Sequence, residues 1–308
     1  MTSLSLWARR SGLVRTLASP YLRIRRRLAH PGRPYEEDIW SRLGTLLVED
    51  PVIYVEGFEG TFQIDVRSHI LKRLILEGVY EPGLVEVCRT FVTQGRDAVD
   101  VGANVGFFSV LLAQLLPDRR VLAAEPSRAM ARRLRVNLER NGVAERVIVF
   151  EGAISDHSGE ARLQGVTGKE EYGSIGVLAH PAIKGEVCRS GVETYSETVK
   201  STTLDALIEK HELRPGIIKI DTEGAERLVF QGARTALKEF QPVIISELDD
   251  TLLRANGSSA MDVVRMMYDM DYRVLDPFTP GYPEVTREQL ETPHVLTEVL
   301  CLPTSGTP

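Results

Sequence analysis

DAVDVGANVGFF, running from Asp97 to Phe108, decides how this chain folds. Its first five residues have the length and apolar character of a buried strand. Gly102 then turns the chain, and Gly106 opens a helix predicted to reach about Leu116. Bare backbone at both glycines lets a ligand approach a helix N-terminus, where the first amide groups have no intrahelical partner. RVLAAEP reads as a second strand and ends on Glu125, 23 residues after Gly102. From that position a carboxylate can accept both hydroxyls of a ribose.

The same rhythm continues outward. A helix is expected from about Ser127 to Arg140, with Met130, Leu134 and Leu138 on one face and Asn141-Gly142 as its stop. RVIVFEGAI, GIIKIDTEG and PVIISEL read as the third, fourth and fifth strands, with helical TLDALIEKH and ERLVFQGARTAL between and after them. YRVLD and HVLTEVLCLP supply two closing strands. Strands alternating with helices indicate an α/β doubly wound sheet of seven strands. His157 to Lys200 breaks the rhythm; EARLQ and ETVKS would be two extra strands bracketing this insert, which reads as a lid over the carboxyl edge. Residues 36–90, with strand-like VIYVEG and TFQIDV and a helix from about Leu84 to Val92, read as a cap. The cofactor-binding domain then occupies residues 91–308.

Composition narrows the class. The 308 residues (34.3 kDa) are 43% apolar and 26% charged, as in an ordinary globular chain, and the longest nearly apolar stretch, Val105 to Leu116, is too short to cross a bilayer. Cys88, Cys188 and Cys301 are widely spaced and form no CxxC pair, against a disulfide framework or a cysteine zinc site, so a reducing, cytoplasmic compartment is the default. Eight arginines precede the first acid, Glu36, which leaves the rest of a chain of net charge −6 at −14. An acidic body disfavours nucleic acid as a partner. The arginine-rich leader, residues 1–35, fits a solvated extension, a mitochondrial or other organellar targeting segment, or a peripheral membrane contact.

Together the glycine turn and Glu125 read as a nucleoside-cofactor site, with a turn needed only for helix-on-sheet packing as the alternative. A dinucleotide site wants GxGxxG, but Asn104 stands where the middle glycine would meet a pyrophosphate. Asp100, two residues before Gly102, would suit a cationic amino group and repel a diphosphate. S-adenosylmethionine, with a ribose, an ammonium and no phosphate, fits better than NAD(P).

VYEPGLVEV, DVGANVGFFSVLLA, AAEPSRAMARRLRVNLERNG, GAISDHSGEARL, VKSTTLDALIEK, IIKIDTEGAERLVFQGA and PVIISEL, in that order, resemble the FkbM-type family of class I S-adenosylmethionine-dependent methyltransferases. The resemblance implies a Rossmann-like seven-stranded sheet with the last strand antiparallel, and methylation of a hydroxyl on a small molecule, sugar or lipid-linked acceptor. It places Asp100, Gly102, Asn104 and Gly106 around the methionine half of the cofactor and Glu125 on the ribose. Asp156, with Ser155 as its neighbour, would meet the adenine amino group, and Tyr80 and Glu81 would close over the cofactor. The leader and the segment from Thr167 to Thr194 lie outside it.

Methyl transfer to a neutral hydroxyl calls for a base at the carboxyl edge of the sheet. Asp221, ending the fourth strand in IKIDTEGAE, is the first candidate and Glu223 the second, with helix capping as their structural alternative. Asp221, Glu247, Asp249 and Asp250 could instead gather a magnesium-type cation. His157, His180 and His294 are lesser base candidates. A nicotinamide-dependent oxidoreductase and a noncatalytic module on the same fold are the competing functions.

Overall fold

The computed structural model describes residues 50–166, 173–176, 194–292 and 295–305. The arginine-rich leader, the start of the cap, residues 167–172 and 177–193 of the insert, His180, His294 and Cys188 lie outside the described residues. Strands β1 (Val52–Val55) and β2 (Gly60–Gln63) form a hairpin, followed by helices α1 (His69–Glu77) and α2 (Pro82–Phe91). Then come β3 (Asp97–Val101), α3 (Phe107–Leu115), β4 (Val121–Glu125), α4 (Arg128–Arg140) and β5 (Val147–Glu151). The insert contributes β6 (Ala153–Ile154), β7 (Gly159–Val166) and β8 (Thr194–Thr202). The chain closes with α5 (Leu204–Lys210), β9 (Pro215–Ile220), α6 (Glu226–Gln231), α7 (Arg234–Phe240), β10 (Val243–Glu247), α8 (Asp250–Ala255), α9 (Ala260–Tyr268), β11 (Tyr272–Leu275), α10 (Arg287–Glu291) and β12 (Glu298–Pro303).

The main sheet has the order β11-β12-β10-β9-β3-β4-β5. β12 runs antiparallel to both β10 and β11, and the other pairings are parallel, so the last strand is the reversed one. This is the α/β Rossmann-like sheet of class I methyltransferases. The central strands β3, β4 and β9 are buried along their whole length, which is why they read as largely apolar runs broken only by a few charged residues. Strand order reverses between β3 and β9, and in such sheets that reversal opens a crevice beyond the carboxyl ends.

Local sequence explains the elements around the crevice. Ser127 Oγ accepts the Met130 amide to start α4, whose Met130, Leu134 and Leu138 face is buried, and Gly142 adopts φ +67° after it. The cap is not a separate body. Phe58 and Phe62 of the hairpin share a core with Phe107 and Phe108 of α3. Asn137 of α4 accepts from Gln63 N–H at 2.7 Å and donates to Gln63 and Val105 carbonyls, while Asn141 brackets Thr61 in the same way. Arg133 ties Asp50 and Asp65 to the same helix. The two bracketing runs do form strands, β7 and β8, which pair antiparallel over eight residues. Helices α1, α8, α9 and α10 go beyond the sequence reading, and ERLVFQGARTAL divides into α6 and α7 around Gly232.

Candidate active site at the carboxyl edge of the sheet

A cleft of about 270 Å³ opens beyond the carboxyl ends of β3, β4, β9 and β10. A wider hollow lies at the opposite edge, but there the Asp97 carboxylate is spent on the Arg120 and Arg214 amides, which ties strand starts together. The carboxyl-edge cleft is where loops converge. Gly102 and Asn104 form one wall. Gly102 sits at φ +79°, and a Cβ there would fall 1.7 Å from the Asp221 carbonyl oxygen, so glycine is dictated by both backbone and space. The Gly102 turn and the strand end carrying Asp221 are therefore in direct backbone contact.

Glu125 fixes the shape of the turn. Its Oε2 accepts the Asn104 amide and its Oε1 the Ser127 amide, each at 2.8 Å. Burial pushes its carboxyl up to about 7, against the pull of those two amides. Two amides leave acceptor capacity on a carboxylate, which has about four lone-pair sites. Asp100 is fully buried beneath the turn; Ser109 Oγ donates to its Oδ2 at 2.6 Å, and its Oδ1 has no hydrogen-bond partner among the described residues.

Asp221 follows β9 at the centre of the cleft, with its side chain about one-third exposed. Lys219, only 4% exposed, donates to Asp221 Oδ2 at 2.9 Å and lies 4.7 Å from the centre of the Phe108 ring. Lys219 is also the direct register partner of Asp100 across the β3–β9 ladder, so a period-two strand places all three charges on one face. Its ammonium is held well above the ordinary lysine range by Asp221, Asp100 and Glu81, which outweigh the cost of burial.

The turn after β9 is locked by Glu226. Its buried Oε1 accepts from the Thr222 amide and hydroxyl and from the Gly224 amide. Neither Asp221 nor Glu223 caps α6, whose N-cap is Ala225 without a side-chain bond. Glu81, Asn104 and Glu223, all lining the cleft, have φ of +43°, +51° and +54°, a region costly for side chains other than glycine and asparagine. Burial, with Asp221 second, pushes the Glu81 carboxyl up to about 7. The Tyr80 ring lies tilted against Phe107, with centroids 5.3 Å apart, and the Arg73 guanidinium is 5.2 Å from its centre.

Of the residues singled out from sequence, Tyr80, Glu81, Gly102, Asn104, Glu125, Asp221 and Glu223 line this cleft. Asp100 and Gly106 support it from below, Gly106 as the left-handed N-cap of α3. Ser155 and Asp156 are not among the lining residues, where Gly152, Ala153 and Ile154 appear instead. Asp156 is exposed and bonds Ser155 and His157, and the His157 contact, foremost, holds its carboxyl below the usual range. The proposed acid cluster is taken apart by the fold. Asp249 caps α8 and Asp250 binds Arg254 and the Ala260 amide, both turned toward a separate hollow, leaving Asp221 and Glu247 in the cleft. His157 lies on an exposed turn away from it. Gly173 and Ile175 of the insert do reach the cleft, and Ser174 Oγ donates to the Glu223 carbonyl at 3.0 Å.

Lys219, Arg73 and Glu298 were not singled out from sequence. A lysine inside the apolar strand GIIKI was the available signal, since a charge there must find buried partners.

A model of the FkbM methyltransferase domain matches residues 100–274, more than half the chain. The chain belongs to the FkbM methyltransferase family. Membership in the FkbM family brings S-adenosylmethionine as the cofactor, and the carboxylate-lined, glycine-floored cleft suits its ribose and cationic groups. Among similar proteins, the hexuronic acid methyltransferase AglP of Haloferax volcanii is 24% identical over 241 residues, 76% of this chain and 92% of that protein. The AMB antimetabolite synthetase AmbE of Pseudomonas aeruginosa is 36% identical over 136 residues, 44% of this chain. This chain spans only 6% of AmbE. The solved FkbM methyltransferase from Methylobacillus flagellatus KT aligns over 85% of this chain and 57% of its own, at 16% identity and a TM-score of 0.44.

Proposed function

We propose that this FkbM-family chain methylates a hydroxyl oxygen on a small-molecule, sugar or lipid-linked acceptor, with Asp221 as the base. One observation carries the reading: a carboxylate about one-third exposed, gripped on one side by a buried lysine, stands in a cleft whose floor is a glycine turn fastened by Glu125. When bound, S-adenosylmethionine supplies an electrophilic methyl carbon on a positively charged sulfur. Gly102, Asn104 and Glu125 would hold its ribose and amino-acid portion, and Tyr80 and Glu81 would border it. Asp221 would accept the proton of the acceptor hydroxyl as the oxygen gains its new bond to carbon, the electron pair of the broken carbon–sulfur bond staying with the departing neutral thioether. Lys219 orients Asp221 and balances its charge, so the base is fixed before the acceptor arrives. Glu223 stands next to it as a second contact for acceptor hydroxyls. The acid-lined cleft supports a small acceptor over a nucleic acid, whose phosphates it would repel.

The same features disfavour a nicotinamide dinucleotide, whose pyrophosphate would meet Asp221 and Glu81 and find no middle glycine. S-adenosylhomocysteine at 100 times its Kd should stabilise the protein by about 2.7 kcal/mol and raise the melting temperature, whereas NAD should leave it unchanged. Acceptors are then identified by a mass gain of one methyl in extract fractions. No shift with S-adenosylhomocysteine would refute the reading, as would an unaltered shift in Glu125→Ala.

A further inference from the structure

The sheet order divides the cleft. The glycine turn and Glu125 sit over β3 and β4, whereas Glu247 ends β10 and Glu298 begins β12, beyond β9. At about 4.8 Å per strand, β10 and β12 stand roughly 10 and 14 Å from the glycine turn, outside the donor half and next to Asp221. Glu247 and Glu298 are register partners in the antiparallel ladder, so their side chains share one face. Both line the cleft. Glu298 Oε2 accepts the Thr297 hydroxyl at 2.7 Å; Glu247 Oε2 is shut off from solvent and has no hydrogen-bond partner among the described residues.

Among the described residues no cation is ion-paired to Glu247 or Glu298, although Lys219 and Arg73 act on Glu298 at longer range. Lys219 is engaged by Asp221, and Arg73 by Glu77 and Glu81. Burial first, then Asp221 and Glu223, drives the Glu247 carboxyl far above its usual range; burial and Asp221 raise Glu298 against the pull of the Thr297 hydroxyl, Lys219 and Arg73. A bound cation would relieve that repulsion. The described acids do not converge as a ligand set for a metal ion, which favours a larger, organic cation.

We infer that the acceptor carries a cationic amine close to the hydroxyl that is methylated, and that Glu247 and Glu298 hold this amine while the hydroxyl faces Asp221. The inference rests on the methyltransfer reading above and narrows its acceptor to amino sugars and amino alcohols. A uronate of the kind named for the Haloferax relative would meet repulsion here.

The test uses the full chain saturated with S-adenosylhomocysteine and three probes: methyl glucosaminide, methyl glucoside and methyl glucuronide. The amine should bind at least ~10-fold more tightly than the neutral glycoside and the uronate most weakly. Glu247→Gln and Glu298→Gln should each shrink the amine preference several-fold while keeping the melting shift given by S-adenosylhomocysteine. Equal or absent binding of the three probes would overturn the inference, as would an amine preference unmoved in both variants. A variant that loses the S-adenosylhomocysteine shift instead would reassign these acids to the cofactor's own amine and equally overturn it. A wild-type chain lacking that shift would fail the broader reading, a separate outcome.

Discussion

At the scale of single residues, Asp221 and Glu81 make the sharpest predictions. Asp221→Asn nearly preserves shape and should lower kcat at least ~100-fold while the melting shift with S-adenosylhomocysteine persists, because proton acceptance is lost and donor binding is not. An unchanged kcat would transfer the role to Glu223. Glu81 is raised from an ordinary carboxyl value of 4.5 to about 7 by burial and by Asp221. The unfolded chain ionises first, so the stability this group contributes is full below pH 4.5 and is lost as pH rises through about 7. Wild type should therefore lose stability relative to Glu81→Gln between pH 5 and 8, read as the difference in melting temperature; parallel curves would refute the assignment. Most of these residues were legible in the sequence because strand ends and glycine turns carry the chemistry in such sheets. Lys219 was not, because a lone lysine in an apolar run announces burial without naming its partner, and only the β3–β9 register reveals Asp100 beside it.

Among the elements, the turn between β9 and α6 and the seam between α4 and the hairpin matter most. Glu226→Ala removes an acceptor of three bonds and should loosen the loop that carries Glu223, lowering kcat/KM about 10-fold or more with little effect on donor affinity. Steady-state kinetics beside a donor titration checks this. Asn137→Ala strands the Gln63 amide and two carbonyls in the interior and should cost about 2 to 4 kcal/mol, measurable by urea unfolding. Periodicity located α4 and its stop well, since Met130, Leu134 and Leu138 recur every four residues and Gly142 ends them. It missed α1 and α9, where the apolar residues are interrupted by charges, and it could not show that Asp249 and Asp250 serve as caps and pairs rather than as ligands.

For the molecule as a whole, the cap hairpin and the sheet share one core, so the unit that folds extends upstream of the family match to the start of β1. Deleting residues 1–33 should leave the S-adenosylhomocysteine shift within about 1 °C of the full chain, as measured by thermal melting; its loss would place part of the leader in the folded unit. The doubly wound sheet could be anticipated from the order of runs, because right-handed crossovers and short connections leave few alternatives, whereas the reversed last strand was implied by the family resemblance alone. The contact between Gly102 and the Asp221 carbonyl has a consequence for evolvability. On the proposed roles, the turn that would grip the donor and the acid that would act as base abut with no spare atom between them, so neither can drift without the other being retuned. Diversification toward new acceptors is thereby channelled to the far rim, and laboratory libraries that randomise Glu223, Glu247 and Glu298 should yield active clones far more often than those that touch the Gly102 junction.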